Sequence, residues 1–150
     1  MERVQQISVF AENKPGKIEK ITAILTEERI NIRAITIASG NRYGVIKLLV
    51  NEPMRAFEAL KKKGLSVALN PVLAVEMEDS PGGLHKVACL IKEHKINVED
   101  ACGFVIESGK RAVLLMETKQ IEKAEKALLS EGIRLLSEKD LYEQKAFHES

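Results

Sequence analysis

Two short junctions in this sequence carry the residue types that a backbone-lined anion site needs. DSPGGL at 79–84 places an acidic residue, a proline and two glycines between an apolar run and a helical pattern, and NKPGKI at 13–18 repeats the arrangement. Proline presets φ and glycine allows conformations closed to other residues, so each junction turns a strand sharply into a helix. Because Gly16, Gly82 and Gly83 lack side chains where the first helical N–H groups are free, a carboxylate could lie against the backbone.

The same junctions also have a purely structural explanation. Asp79 or Ser80 would cap the second helix, with Pro81 in its first turn. The two junctions are not identical, since Lys17 stands where the second has Gly83 and adds a cation beside the N–H groups. We therefore expect two unequal sites, of which the second is the better one.

The junctions belong to an internal duplication. A shift of 66 positions aligns Pro15-Gly16 with Pro81-Gly82 and overlays ENKPGKIEKITAILTEERINI on EDSPGGLHKVACLIKEHKINV. A shift of 68 aligns Gly64 with Gly132, with the two extra residues in a turn near ESGKRA. A fixed period over this length indicates two copies of one unit. We expect the first unit at 1–70, the second at 71–144 and a polar tail at 145–150.

Each copy shows the same order of elements. An apolar strand leads into the junction, then come a helix, two apolar strands joined by a tight turn, a second helix and a short last strand. Gly64 and Gly132 suit the left-handed position that follows a helix. The order β-α-β-β-α-β therefore occurs twice, which predicts the α+β class: two tandem ferredoxin-like units, each an antiparallel sheet with helices on one face. Whether 65–77 is one strand or two stays open.

Apolar spacing identifies the side chains expected to face the core. The first helices supply Ile18, Ile21 and Leu25 in copy one, and Leu84, Val87, Ala88 and Ile91 in copy two. The second helices supply Met54, Phe57 and Leu60, and Ile121, Ala124 and Leu128, with Pro53 in a first turn. Cys89 and Cys102 lie in apolar surroundings without CxxC or Cys/His spacing, so we expect core residues and neither a metal site nor a disulfide framework. We also expect no cofactor.

The composition limits the classes of partner that we expect for this protein. The chain has 150 residues, 45% hydrophobic and 30% charged, which is ordinary for a globular protein. A net charge of +1, from 23 basic and 22 acidic residues, gives no broad electrostatic reason to expect nucleic acid or a membrane surface. MERVQQISVF is too polar for a signal peptide, and no apolar run approaches the ~18 residues of a membrane span, so we expect a cytoplasmic protein.

The motif D/N-x-P-G-x-L/I, followed by I-N-I/V at the next strand, resembles that of the ACT domain. Here it comprises 13–18 with Ile30-Asn31-Ile32, and 79–84 with Ile96-Asn97-Val98. The resemblance covers essentially the whole chain as two tandem units without an attached catalytic domain. It implies a regulatory module, not an enzyme, that binds a free amino acid or similar small carboxylate where the Pro-Gly loop of one unit faces a strand of a neighbouring unit. Sheets of such units associate edge to edge, so a homodimer and a separate regulated protein are the implied partners.

Carried over residue by residue, the resemblance implies a set of ligand contacts. They are Asn13, Pro15, Gly16, Lys17 and Ile18 in the first unit, and Asp79, Pro81, Gly82, Gly83 and Leu84 in the second, with Asn31 and Asn97 opening the facing strands. An acidic or amide side chain would accept a hydrogen bond from the ligand's α-ammonium, while loop N–H groups would hold its carboxylate. Asn13 and Lys17 depart from the usual acid and small residue.

Three other functions compete with this one. A ferredoxin-like enzyme acting on acyl phosphates would want an arginine in the loop, but neither loop contains one, and Arg33, Arg42 and Arg111 are expected as solvated charges. RNA binding would want aromatic and basic residues along the strands, where only scattered aromatics occur. A ligand-free dimerisation scaffold predicts the same pattern but would need neither Asp79 nor Gly83.

Overall fold

The structure is a computed structural model that describes residues 3–12, 14–40 and 42–142. The chain divides into two compact units, Gln5–Asn70 and Pro71–Ser150 with Met1–Val4. We call them the N-terminal unit and the C-terminal unit and describe each by itself. The polar tail expected at 145–150 lies outside the described residues. No helix in the described part of the chain is long and apolar enough to span a bilayer.

The N-terminal unit contains the first copy of the repeat. Its elements are β1 (Val4–Glu12), α1 (Lys17–Glu27), β2 (Ile32–Ser39), β3 (Tyr43–Val50), α2 (Pro53–Lys62) and the first part of β4 (Ser66–Glu78). The strand order is β2-β3-β1-β4, and β3 pairs antiparallel with both β1 and β2. The segment left open above is therefore one 13-residue strand.

The C-terminal unit repeats the arrangement. After the second part of β4 come α3 (Gly83–Glu93), β5 (Asp100–Glu107), β6 (Arg111–Glu117), α4 (Ile121–Ser130), β7 (Leu135–Leu136) and a short helix α5 (Glu138–Tyr142) that the sequence pattern did not predict. Strand β4 lies between β7 and β6, and β5 is beyond β6, all antiparallel. The α+β, tandem ferredoxin-like fold is confirmed.

Each unit has its own core between the sheet and its two long helices. In the N-terminal unit the core comprises Ile7, Val9, Ile21, Ile24, Leu25, Ile30, Ile46, Leu48, Val50, Ala56 and Leu60. In the C-terminal unit it comprises Leu73, Val75, Val87, Ile96, Leu114, Met116, Ala124, Ala127, Leu128 and Leu135. The strand contributions recur at every second residue, as expected when one sheet face is covered by helices.

Several predicted core positions are wrong. Ile18, Leu84 and Met54 are 46%, 52% and 59% exposed, and Ala88 is also exposed. In α1 the predicted Ile21 and Leu25 are buried together with Ile24, and only Ile18, in the first turn of the helix, stays outside the core. Cys89 and Cys102 are only partly buried, and burial raises the pKa of the Cys102 thiol. The predicted stripe is otherwise confirmed, because Ile21, Leu25, Val87, Leu60, Ala124 and Leu128 are all buried.

The helix ends show two ways of reaching a left-handed conformation. Pro53 is at the start of α2, and Gly64 and Gly132 follow α2 and α4 with φ of 85° and 78°, as predicted. Helices α1 and α3 end instead with Arg29 and Lys95, at φ of 56° and 55°. These exposed residues occupy equivalent positions in the two copies, and neither is a residue type that adopts this conformation readily.

We expect Arg29→Gly and Lys95→Gly each to raise the free energy of unfolding by about 0.5–1 kcal/mol. Relief of left-handed strain exceeds the entropy that glycine adds to the unfolded chain. Urea denaturation of the two variants measures the effect, with Gly64→Ala as a control that should move the opposite way. A loss of stability in both variants would show that their side chains contribute more than the backbone strain costs.

Candidate functional site

The two Pro-Gly junctions fold as the same β-turn. Gly83 N–H donates to Ser80 O at 3.0 Å, and Lys17 N–H donates to Lys14 O at 3.4 Å. Gly82 has φ 89° and ψ −8°, and Gly16 has φ 89° and ψ −6°. These angles belong to the third residue of a type II turn, where glycine is required and proline favours the preceding position. The turn explains the Pro-Gly pair in both copies.

The predicted N-cap of the helix that follows the second junction is wrong. Helix α3 begins at Gly83 with Gly82 as its N-cap and no side-chain cap, so Pro81 lies before the helix. The Asp79 side chain instead accepts a hydrogen bond from Gly109 N–H at 2.7 Å, in the turn between β5 and β6. Ser80 Oγ lies 3.4 Å from Glu78 Oε2. Because the Pro-Gly pair completes a turn first, the helix starts too late for Asp79 to reach its N–H groups.

Only glycine fits at position 83, because the backbone of Glu78 lies very close to it. A Cβ at this position would lie 2.0 Å from Glu78 O, because the start of α3 packs directly on the end of β4. Gly83 and Asp79 therefore both have structural roles. The expectation that a ligand-free scaffold would need neither residue is wrong.

A cavity of about 420 Å³ lies beside this junction, within the C-terminal unit. It is bounded by the end of β4, the junction and first turn of α3, the start of β6, and the link between α4 and β7. Met77, Val87 and Ile133 give it an apolar side. Pro81, Gly82 and Gly83 line it, whereas Asp79 and Leu84, also predicted as ligand contacts, do not. The volume lies within the range of about 300–1,000 Å³ that is usual for small-molecule sites.

Charged residues from several elements line the cavity. Four are basic and two are acidic: Lys86, Lys110, Arg111 and Arg134, and Glu76 and Glu78. Arg111 holds Glu76 Oε1 with Nε at 2.6 Å and Nη2 at 2.5 Å, and both side chains are largely buried. Arg111 is thus the partner of a carboxylate, not the solvated charge that the sequence suggested.

Arg134 is held more loosely than Arg111. Its Nη1 lies 3.9 Å from Glu76 Oε1, and its Nη2 lies 3.7 Å from Asp140 Oδ1 on α5. Asp140 has a second partner, because Ser137 N–H donates to its Oδ2 at 3.0 Å, and this hydrogen bond holds the pKa of Asp140 below its ordinary value. The Arg134 side chain is 57% exposed.

The junction of the N-terminal unit has much less room. Its cavity measures about 70 Å³ and is lined by Lys17 and Ile18 with residues of β1, β2 and β3. Lys14 Nζ lies 2.7 Å from Glu12 Oε2, a contact that lowers the pKa of Glu12 chiefly through the hydrogen bond. Asn13, predicted to accept the ligand ammonium, lies outside the described residues. The two junctions share a backbone shape but not a cavity.

Asn31 and Asn97 are not near the junction of their own unit. Each follows an 11-residue helix that starts at the junction. At 1.5 Å per residue, that helix separates each asparagine from its own junction by about 16 Å. Asn31 N–H donates to Asn51 Oδ1, and Asn97 N–H donates to Gln120 Oε1. These hydrogen bonds link the segment before β2 to the start of α2, and the segment before β5 to the start of α4. Within one unit they are structural residues.

Sequence reasoning missed the basic lining of the cavity. Lys110, Arg111 and Arg134 lie far from the Pro-Gly motif along the chain and carry no motif of their own. Alternating Glu76 and Glu78 at the end of an apolar strand was the available signal, because opposite charges on neighbouring strands stabilise a sheet. The register pairs Glu78 with Arg111 across β4 and β6.

Comparison with solved structures supports the fold. Protein BT0572 from Bacteroides thetaiotaomicron is similar, with a TM-score of 0.87 and 28% identity over 94% of this chain and 96% of that chain. The ligand-free regulatory subunit of aspartate kinase from Thermus thermophilus has a TM-score of 0.64 and 19% identity over 85% of this chain and 92% of its own. The corresponding subunit from Thermus flavus has a TM-score of 0.57 and 18% identity over 86% and 93%.

Comparison of sequences gives the family. No curated protein matches this chain. The profile of the ACT domain pair matches residues 2–145, which is nearly the whole sequence and includes both Pro-Gly junctions. The resemblance drawn from the two motifs is confirmed, and the chain belongs to the ACT domain pair family.

Proposed function

We propose that this protein is a regulatory module that binds a small carboxylate, such as a free amino acid, in the cavity of its C-terminal unit and catalyses no reaction itself. The observation that carries the proposal is the cavity of about 420 Å³ that brings the start of α3 together with Lys86, Lys110 and Arg134. Backbone donors and cations on one small surface are the groups that bind a carboxylate.

The start of α3 supplies the backbone donors. Gly83 N–H is used by the turn, but the N–H groups of Leu84 and His85 precede the first i→i−4 bond of the helix, which Lys86 N–H makes to Gly82 O. Such first-turn groups bind anions well, and the helix dipole adds to the attraction. Leu84 and His85 are not themselves among the lining residues, but Gly83 before them and Lys86 after them are, so a carboxylate against the start of α3 would lie beside these N–H groups.

Family membership supports the regulatory role. Two chains with the same fold are regulatory subunits of aspartate kinase, which makes control of a separate protein a natural role for a pair of this kind. Ile18 and Leu84 are exposed apolar side chains at the start of α1 and α3, and they suit contact with a second copy of the chain. A homodimer whose assembly responds to the ligand is therefore part of the proposal.

A ligand-free dimerisation scaffold is the second candidate. The type II turn, the close approach at Gly83 and the hydrogen bond of Asp79 explain the junction without any ligand. The scaffold predicts that no small carboxylate stabilises the protein. It shares the expectation of a dimer, so ligand binding and not assembly separates the two candidates.

A thermal-unfolding screen against the twenty amino acids and simple carboxylates tests the proposal. A ligand at about 100 times its Kd should stabilise the native state by about 2.7 kcal/mol and raise Tm accordingly. Lys86→Gln should lose the shift of the best ligand, whereas Lys20→Gln, the equivalent position in the first copy, should keep it. Native mass recorded with and without that ligand reports on assembly. Unchanged melting with every compound at millimolar concentration would favour the scaffold.

A further inference from the structure

We infer that His85 and Cys89 on α3 form a binding site for one zinc ion or a divalent cation of similar softness. The His85 Nε2 and Cys89 Sγ atoms lie 3.4 Å apart, and His85 is exposed while Cys89 is partly buried. The sequence predicted no metal site at Cys89, and the pair emerges only because this segment is helical. The inference is independent of the proposed function, since neither residue lines the cavity of the C-terminal unit.

The helix brings the two side chains together. Residues four apart in an α-helix project from the same face, one turn above the other. Helix α3 covers Gly83–Glu93, and Val87, midway between His85 and Cys89, is buried in the core on the other side. The backbone therefore holds both side chains on one accessible face of the helix.

The distance between the two atoms suits a shared tetrahedral metal ion. With Zn–S of about 2.3 Å and Zn–N of about 2.0–2.1 Å, two tetrahedral ligand atoms of zinc lie about 3.6 Å apart. The distance of 3.4 Å between Nε2 and Sγ agrees with this value to about 0.2 Å, the tolerance usual for metal sites. Zinc accepts both a thiolate and a neutral imidazole as ligands.

The first copy of the repeat shows that the fold does not require this pair. The equivalent positions of α1 are Glu19 and Ala23, and α1 is nevertheless an 11-residue helix like α3. A contact between imidazole and thiol is thus not needed to form the helix or to place it on the sheet. His85 and Cys89 are available for a role that only the second copy has.

Two protein ligands leave the other coordination positions to water. Among the residues that the structure describes, no third histidine, cysteine, aspartate or glutamate completes a cluster with them. Binding releases the Cys89 thiol proton to solvent, because the thiolate is the ligand. The site is therefore open and exchangeable, unlike the closed four-ligand sites on which the folding of small zinc domains depends.

Titration of the reduced, metal-free full chain with Co²⁺, followed by absorption, tests the inference. Cobalt occupies zinc sites, and a thiolate-to-metal charge-transfer band appears only when a cysteine sulfur is bound. We expect this band at one Co²⁺ per chain, displaced by Zn²⁺ but not by Mg²⁺, which prefers oxygen ligands. Cys89→Ser should abolish the band. Loss of a group that only supports a metal ligand costs about 10–100-fold in affinity, so His85→Gln should weaken binding at least about tenfold.

Cys102→Ser and His94→Gln are the matched controls, since each removes the same residue type elsewhere in the C-terminal unit. His94 Nε2 lies 3.2 Å from Glu131 Oε1, and a metal ion held by that pair would give no charge-transfer band because it has no sulfur ligand. Both controls should keep the band and the affinity of the wild type. Absence of the band in the wild type, or a band that survives Cys89→Ser, would overturn the inference. Equal affinity of His85→Gln and the wild type would also overturn it, because a lone thiol would then bind the metal.

Discussion

Replacement of Gly83 by alanine is expected to remove most of the stability of the C-terminal unit. The new Cβ would lie 2.0 Å from Glu78 O and 3.0 Å from Glu78 C. Both are backbone atoms at the end of β4, so no flexible side chain can move aside, and the helix start must separate from the strand. We expect a loss of about 3 kcal/mol or more, at the upper end of overpacking effects.

Gly82→Ala is the matched control for this variant. Gly82 has φ 89°, but an added Cβ would have nothing within 4 Å. Its replacement therefore carries only the cost of a left-handed conformation, about 1–2 kcal/mol. Denaturant unfolding of the two variants distinguishes close approach from backbone strain. Equal losses, or a smaller loss for Gly83→Ala, would contradict the packing of α3 on β4.

Leu128→Ala is expected to have an effect of similar size for a different reason. Leu128 on α4 is fully buried in the core of the C-terminal unit, whereas its neighbour Leu129 is 49% exposed. Truncation of the buried leucine leaves a cavity and should cost about 2–5 kcal/mol. The exposed leucine makes few such contacts, so Leu129→Ala should stay within about 0.5 kcal/mol of the wild type.

Leu60→Ala extends this test to the other copy. Leu60 aligns with Leu128 in the duplication and is also fully buried, on α2 of the N-terminal unit. A comparable loss of 2–5 kcal/mol is expected. The measurement is the midpoint and slope of urea unfolding for all three variants. If Leu129→Ala were as damaging as Leu128→Ala, the orientation of α4 described above would be wrong.

Most of the fold follows from local patterns in the sequence. The duplication, the order of elements and the glycines after α2 and α4 depend on residues close together in the chain. The exposure of the first apolar residue of α1 and of α3 does not, because it depends on where the preceding turn places the start of each helix. Since Gly16 and Gly82 complete that turn, Ile18 and Leu84 are the second residues of their helices and are exposed there, so the prediction for both is wrong.

The site was only partly predictable for a similar reason. The Pro-Gly motif identifies the junction, but the cavity depends on which distant residues the fold brings to it. Arg134 follows α4, and Lys110 lies in a hairpin turn, so the sequence alone does not show that either residue lies beside the junction. The need for glycine at 83 comes from a contact with a strand end, and the role of Asp79 comes from a contact with a different hairpin. Such contacts depend on tertiary structure.

The most direct test of the central claim is the mapping of amide chemical shifts of the labelled protein during titration with the carboxylate that stabilises it most. Binding in the cavity of the C-terminal unit predicts concentration-dependent shifts at Gly82, Leu84 and His85, together with Arg134. The equivalent amides of the first junction, Gly16 and Ile18, should respond much less, because their cavity is about 70 Å³. Shifts confined to the first junction, or none at either, would contradict the claim that this cavity holds the ligand.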